Sequence, residues 1–354
     1  MSLPPATTVA YVAYVAYVAY VANADSHDIT VLALDAVRGE LTEIERFAVG
    51  GTVMPLAVSP DRRVLYASIR SAPFRVLSLA IDAASGRLAE IGSAPLPASM
   101  CWISADGSGR FLLSASYGSS LVAVSPIGAD GVAGAAQQTL ATEANAHSIR
   151  TDPSNRFALA ACLGGGVVRQ MRFDPASGRL DANEPPNWPV RAGAGPRHFV
   201  FHPTLSLVYL LNELDASVDV LAFDRERGVL GSAGLASASA LPAGFDAGAP
   251  WAADLHITPD GRFLYASERR SSTLAAFAVD AVNGALTPIG TLATETEPRG
   301  FAITPDGRFL IAVGQLSHRL SRYAIDPATG ALTKLGDQAV GTNPNWVEIV
   351  ELPR

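Results

Sequence analysis

Cysteine is scarce in this chain: Cys101 and Cys162 stand far apart and outside any metal-ligand spacing. That excludes a disulfide framework and a cysteine-held zinc site, and it makes a reducing compartment the default. Charge is scarce too, at 17% of residues against 49% hydrophobic, which excludes a disordered chain. An excess of positive charge is missing, since the formal net charge is −7. Nonspecific nucleic-acid binding needs a basic surface and is therefore not expected. No stretch carries helical periodicity over a useful length. Also missing are a Gly-x-Ser-x-Gly elbow, a phosphate-binding loop signature and a His-Glu-x-x-His pair. Gly164-Gly165-Gly166 precedes no helix start, so it is not read as a phosphate cradle. Neither a metal nor a cofactor is expected.

One apolar run, Val9–Ala22, repeats Tyr-Val-Ala in tandem. It is shorter than the roughly 20 residues a helix needs to cross a bilayer. The residues before it contain no Lys or Arg, and Asn23-Ala24-Asp25 follows it without a convincing small-residue cleavage site. The expectation is a cytoplasmic protein with no membrane segment. A three-residue period does not match the two-residue period of a strand. Only the last copy is therefore expected to enter the fold, with residues 1–18 as an irregular or extended lead-in.

A chain of 354 residues is long for one ordinary core, which leaves two domains or a repeat architecture. Two interleaved motifs favour the repeat. The first is a turn at Ser59-Pro60-Asp61, Ala105-Asp106-Gly107, Asp152-Pro153-Ser154, His202-Pro203-Thr204, Thr258-Pro259-Asp260 and Thr304-Pro305-Asp306. Pro presets φ, and Asp and Gly accept the conformations that close such a turn. The second, Asp-x-x-x-Gly-x-Leu, begins at Asp35, Asp82, Asp174, Asp224, Asp280 and Asp326, with a weaker copy around Asp130-Gly131. Each motif lies between short apolar runs, so a repeat holds two hairpins. Successive copies are about 45–56 residues apart, the range of propeller blades. The reading is a seven-bladed β-propeller of four-stranded blades, a single domain over 1–354. In it the two termini share one blade, with Asn345–Val350 as the inner strand and Ala19–Asp35 supplying others. Such closure removes an open sheet edge. A pair of β-sandwiches is the alternative, and the regular double motif fits it poorly.

Equivalent registers of a propeller form rings around its axis. Six residues before each turn proline, or its equivalent, stand Met54, Ser99, His147, Arg197, Ala253 and Arg299. Closing the second strand of each hairpin are Arg70, Tyr117, Leu163, Glu213, Arg269 and Gln315. In the stretch Trp251–Arg270, Asp254 is read as preceding the first strand, with Glu268, Arg269 and Arg270 ending the second. Antiparallel pairing puts both rings at one mouth of the channel. A single arginine there would more often cap a strand or pair with an acid. Four arginines, one histidine and one glutamate together point to a carboxylate or phosphate site with a general base. Of the other histidines, His202 and His256 are expected to pack between blades. His198 is expected to face away from Arg197 as a hydrogen bonder, His318 to lie in a loop near the mouth, and His27 at the surface.

At these residues the chain resembles the propeller-type 6-phosphogluconolactonases, relatives of the fungal carboxymuconate lactonizing enzymes. The stretches that carry the likeness include AHSIRTDPSNRF, GPRHFVFHP, VYLLNELDASVDV, WAADLHITPDGRFLYASERR and NPNWVEIV. The resemblance implies metal-free hydrolysis of 6-phospho-D-glucono-1,5-lactone in the oxidative pentose phosphate pathway. It also implies a catalytic set of His147, Arg197, Glu213 and Arg269. The chain departs from the family pattern at Gly164–Gly166, and Arg150 is an unusual choice in the strand after His147. The expected mechanism is water attack: His147 takes the proton, Glu213 orients the imidazole or a neighbouring arginine, and Arg197 with Arg269 stabilises the oxyanion. Arg70 and Arg299 are expected on the anionic tail of the substrate, with His198, Gln315 and His318 completing the binding set. The partner is thus a small anionic lactone, and a monomer is favoured. The competing readings are a cycloisomerase acting on a muconate-type dicarboxylate and a noncatalytic interaction propeller.

If only the end of the tandem belongs to the sheet, removing residues 2–10 discards few buried contacts. The melting temperature of that deletion is expected to stay close to that of the full chain. A large drop in a thermal scan would show the lead-in packed into the fold.

Overall fold

A computed structural model describes residues 17–352, and all of their regular structure is β-strand. The strands form seven antiparallel sheets arranged as blades. The inner strands are Val53–Val58, Trp102–Ala105, Ala146–Thr151, Pro196–Phe201, Ala252–Ile257, Pro298–Ile303 and Pro344–Glu351, numbered here as blades 1 to 7. Blade 4 carries an additional two-residue strand, Ala238–Ser239, on its outer side. Among the described residues no helix is long and apolar enough to cross a membrane.

The two turn motifs work by side-chain capping. In blade 5, Thr258 Oγ1 donates to Asp260 at 2.6 Å and accepts from the Phe263 amide at 3.1 Å. In the second motif Asp280 Oδ1 accepts from the amides of Val282 and Asn283, at 3.0 and 2.9 Å. Gly284 closes that turn at φ 76°, with its amide on the Asp280 carbonyl at 2.8 Å. The same glycine also receives a neighbour. Tyr209 of blade 4 donates its hydroxyl to the Gly284 carbonyl at 2.8 Å. The pattern recurs between other adjacent blades, as Tyr20 to Gly86 at 2.8 Å, Tyr66 to Gly131 at 3.0 Å and Tyr265 to Gly330 at 2.8 Å. A Cβ at Gly284 would lie 2.1 Å from Leu207 and 2.9 Å from the Tyr209 hydroxyl, so the motif needs glycine for space as well as for φ.

Packing runs between blades, not within them. The second strands are buried along their length, as in Phe263–Glu268, whereas outer strands such as Leu286–Ala293 are largely half-buried or exposed. Two of the histidines set between blades do pack there. His202 lies against Gly261 of blade 5, and the His256 ring stands 4.7 Å from that of Phe301 in blade 6. His27 is exposed in a hairpin turn.

The ring closes through both ends of the chain. Tyr17–Asn23 pairs with Pro344–Glu351 on one side and with Asp28–Leu34 on the other. Two expectations are corrected here. Tyr17 and Val18 were placed in the lead-in and are strand residues, so both of the last two Tyr-Val-Ala copies enter the sheet. The reason is burial on both faces. Val18, Tyr20 and Ala22 enter one interblade core while Tyr17, Ala19 and Val21 enter the next. A strand covered on both faces needs no two-residue alternation. The earlier copies, through residue 16, lie outside the described residues. Asp254 is the second correction: it sits inside the inner strand Ala252–Ile257 and not before it.

Deleting the last ten residues removes nearly all of the inner strand of blade 7 and exposes the edge of Tyr17–Asn23. The truncated protein is expected to be insoluble or to lose cooperative unfolding. An unchanged melting temperature would overturn closure by the shared blade.

Candidate active site

In blades 3, 4 and 6 the inner strand begins with a pair to its neighbour and then slips register. The slip falls between Ala146 and Ser148, between Pro196 and His198, and between Pro298 and Gly300. His147, Arg197 and Arg299 are the residues left out of the ladder. A bulge of this kind re-aims a side chain. The second strands end in a matching way, with the amides of Arg70, Glu213, Arg269 and Gln315 bonded to the carbonyls of Thr52, Gly195, Trp251 and Glu297. These registers therefore meet at one end of the channel, as the sequence pattern requires.

There a cavity of about 430 Å³ is lined by Arg70, His147, Glu213, Arg269 and Arg299, together with Ser99, Cys101, Tyr117, Gly118 and Trp251. Slightly larger concavities elsewhere are lined by turn residues, such as Pro259, Asp306 and Arg308. Arg197 lies under the floor, 1% exposed. Its Nε donates to Glu213 Oε2 at 2.7 Å, and its NH1 donates to the Ala253 carbonyl. The same Glu213 oxygen takes Arg269 NH2 at 3.0 Å. Arg269 is fixed further by its Nε on the Trp251 carbonyl at 3.1 Å, and its guanidinium lies over the Trp251 ring at 3.7 Å. Arg70 donates from Nε to Ser99 Oγ at 3.0 Å. Arg299 makes no hydrogen bond or ion pair with any described residue.

Four guanidiniums thus crowd around one carboxylate, and only Arg197 and Arg269 are bonded to it. Burial and repulsion from Arg197 and Arg299 push Arg269 down to about 8, against the attraction of Glu213. Burial together with Arg197 and Arg70 pushes Arg299 down to about 9. A guanidinium keeps its proton at neutral pH, so these shifts express mutual repulsion that a bound anion would relieve. His147 is 5% exposed, and its Nδ1 is buried with no hydrogen-bond partner. Burial first, then Arg197, His198, Arg299 and Arg269, hold its pKa well below the usual histidine value. The ring is neutral at neutral pH.

Of the two partners open to Glu213, the structure shows the arginines and not the imidazole. Three of the expected binding residues do not reach the cavity. His198 is buried beneath it, with its ring 4.6 Å from Trp102 and 5.1 Å from His147. Gln315 bonds to the Asn343 side chain at 2.8 Å, and His318 accepts the Asn343 amide at 3.1 Å. These bonds to Asn343 hold both residues to the next blade's connection, with His318 in a left-handed turn at φ 56°. Gly164–Gly166 also forms a turn, and a Cβ at Gly164 would meet Asn145 at 2.1 Å. Arg150 stacks over Trp102 at 4.9 Å toward the opposite channel mouth, in a separate concavity with Glu348. Sequence reasoning missed Trp251, which lies two residues before the ring position Ala253 and carries Arg269. It also gave no role to Asp254, the residue after that position.

A family model described as lactonase, 7-bladed beta-propeller, matches residues 15–349. A 6-phosphogluconolactonase of Pectobacterium carotovorum is 45% identical over 277 residues, 78% of this chain and 81% of that one. A 6-phosphogluconolactonase of Yersinia pestis is 42% identical over the same shares. Among solved structures, a periplasmic gluconolactonase of Pseudomonas aeruginosa superposes with a TM-score of 0.86 at 30% identity, covering 95% of this chain and 99% of that one.

The lowered histidines give a pH dependence of stability. His198 is pushed down to about 3, by burial and Arg197. Below the ordinary histidine pKa of about 6.5 the unfolded chain takes up protons that the folded His147 and His198 do not. Stability from these two groups is therefore complete above about pH 6.5 and is lost as pH falls below it. Denaturant titrations between pH 7.5 and 5 are expected to show that loss, and His147→Gln is expected to reduce the slope by one proton, about 1.4 kcal/mol per pH unit. An identical slope in both proteins would contradict a neutral, buried His147.

Proposed function

The chain belongs to the lactonase family of seven-bladed β-propellers and is a lactone-hydrolysing enzyme, and from that premise we propose that it opens 6-phospho-D-glucono-1,5-lactone to 6-phosphogluconate. The observation that carries the choice of substrate is a cavity lined by Arg70, Arg269 and Arg299, with Arg197 directly beneath its floor and Glu213 as the carboxylate of its lining. The site carries about three positive charges in excess, which suits a dianionic phosphate. The 6-phosphogluconolactonases at 42–45% identity support the same reading. The step would belong to the pentose phosphate route.

A 1,5-lactone is an activated ester, so no covalent nucleophile is required. Water attacks the carbonyl carbon while His147 takes its proton. The charge that develops on the carbonyl oxygen is met by Arg197 and Arg269. Each has spent most of its donors on the protein, leaving Arg197 NH2 and Arg269 NH1 uncommitted. Glu213 holds both guanidiniums in place, so their alignment is set before substrate arrives. The tetrahedral intermediate collapses with cleavage of the bond to the ring oxygen, and the proton on His147 passes to that oxygen as it leaves. Arg299, unpaired, and Arg70 take the phosphate. The phosphate also serves the base: by offsetting the arginine field that depresses His147, the bound substrate raises the imidazole's proton affinity when it is needed.

Acid release should be followed with fresh 6-phosphogluconolactone, gluconolactone and a muconolactone. The phosphorylated lactone is expected to be the best substrate. A clear preference for gluconolactone would move the substrate to the unphosphorylated class, and turnover of the muconolactone alone would favour a dicarboxylate substrate. His147→Ala is expected to lower kcat by roughly 10²–10⁴-fold with the fold intact. Arg299→Ala acts mainly on KM, because a tail contact is kept equally in ground and transition states. Arg197→Lys still impairs turnover, since an ammonium cannot replace a planar two-pronged donor. A fully active His147→Ala enzyme would remove the proposed base.

A further inference from the structure

We propose that Asp254 is a positioning residue for Arg197, acting through His198 from below the cavity floor. The inference rests on the reading that Arg197 contacts the reacting lactone. Asp254 is 6% exposed and lies in the bulged start of the blade 5 inner strand. Its Oδ1 accepts from His198 Nδ1 at 2.8 Å and from the Leu255 amide at 2.9 Å. Its Oδ2 accepts from His256 Nε2 at 3.1 Å and from the Phe301 amide at 3.3 Å. Four donors from blades 4, 5 and 6 thus saturate one carboxylate at the channel axis. Burial works against its ionisation, but the charge of His256 and the hydrogen bonds from His198 and His256 outweigh burial and hold its pKa well below the usual range.

An ionised carboxylate only accepts, so the His198 proton must be on Nδ1. The ring is neutral, and its Nε2 carries the lone pair. On its other side, Arg197 NH1 stands 3.0 Å from Nε2 and 3.3 Å from Nδ1. A nitrogen almost equidistant from both ring nitrogens lies over the imidazole, not in its plane. The ring is a platform under the guanidinium. A neutral aromatic face tolerates a cation, whereas an imidazolium would repel it. Ring tilt decides where Arg197 sits, and rotation of that ring is stopped by the Asp254 bond and by Trp102 edge to face at 4.6 Å. Without Asp254 the ring can turn or change tautomer, and the guanidinium shifts while Glu213 still holds its Nε.

Nitrogen-15 NMR of the native enzyme tests the first half without any variant. His198 is expected to be neutral at pH 7, with Nδ1 protonated and Nε2 bare. A proton on Nε2, or an imidazolium, would overturn the inference. Asp254→Asn keeps the shape but leaves an acceptor for only one of the two backbone amides, and it is expected to lower kcat/KM roughly 10- to 100-fold, mostly in kcat, the scale of a small misplacement of a reacting group. His198→Gln is expected to fall in the same range. Because both act on one guanidinium, the double variant should be no worse than the poorer single one. Effects that multiply would overturn a shared path, and so would an unimpaired Asp254→Asn enzyme. If Asp254→Asn does not fold, an unimpaired His198→Gln enzyme overturns the inference in its place. An unimpaired Arg197→Lys enzyme would remove Arg197 from the reaction and end the kinetic half of the inference. The His198 spectrum would still report the Asp254 pair, so the two failures are distinguishable.

Discussion

The charged and titratable groups that the inner strands bring to the cavity arrive by the same small departure from regular pairing. A strand in perfect register would send alternate side chains to opposite faces of its blade and none toward the axis in particular. In blades 3, 4 and 6 a slip at the start of the inner strand frees one residue, and these residues are His147, Arg197 and Arg299. The rest of the blade supports that departure. The capped turns fix the length of each hairpin, and the tyrosine-to-glycine bonds fix one blade against the next. The register recurs from blade to blade, while its chemistry is confined to the blades where the residue it presents is polar.

The electrostatics follow from how unevenly that register is filled. Glu213 serves two guanidiniums, and no described residue pairs with Arg299. Repeated pairing would have made the mouth neutral and indifferent to anions. Incomplete pairing leaves the cavity's cations repelling one another, and burial strengthens that repulsion by lowering the effective dielectric. Part of the binding energy of an anionic substrate is then relief of that repulsion. Burial first, and the same field after it, keep His147 unprotonated, so the base is available across the neutral range.

Much of this was legible in the chain. Turn chemistry is local, and Thr258-Pro259-Asp260-Gly261 closes as its residues dictate. The repeat then converts local spacing into three-dimensional register, which is how His147 and Glu213, 66 positions apart, could be put at one mouth. What failed depends on side-chain direction. His198 was sent to the side away from Arg197, but the bulge turns both residues inward. Gln315 and His318 share a mouth-facing loop, yet hydrogen bonds to Asn343 draw them aside. The Tyr-Val-Ala strand was read too short because alternation is a signature of one buried face, and this strand has two. Asp254 was quoted and passed over, since its role depends on His198 and His256 converging from either side.

Closure through the last strand has a bearing on how the protein is made. Three strands of blade 7 are synthesised first, as Tyr17–Asn23, Asp28–Leu34 and Leu41–Ala48, and their inner partner begins only at Pro344. At ordinary translation rates of roughly 5–20 residues per second, the wait is on the order of 15–60 s. Throughout it the nascent chain carries an apolar strand, YVAYVAN, with one edge unpaired. Such an edge is a template for any other extended segment emerging from the same polysome. Heavy expression would crowd many waiting copies together, so yield should depend on chaperone capacity and slow synthesis more than on the stability of the finished ring.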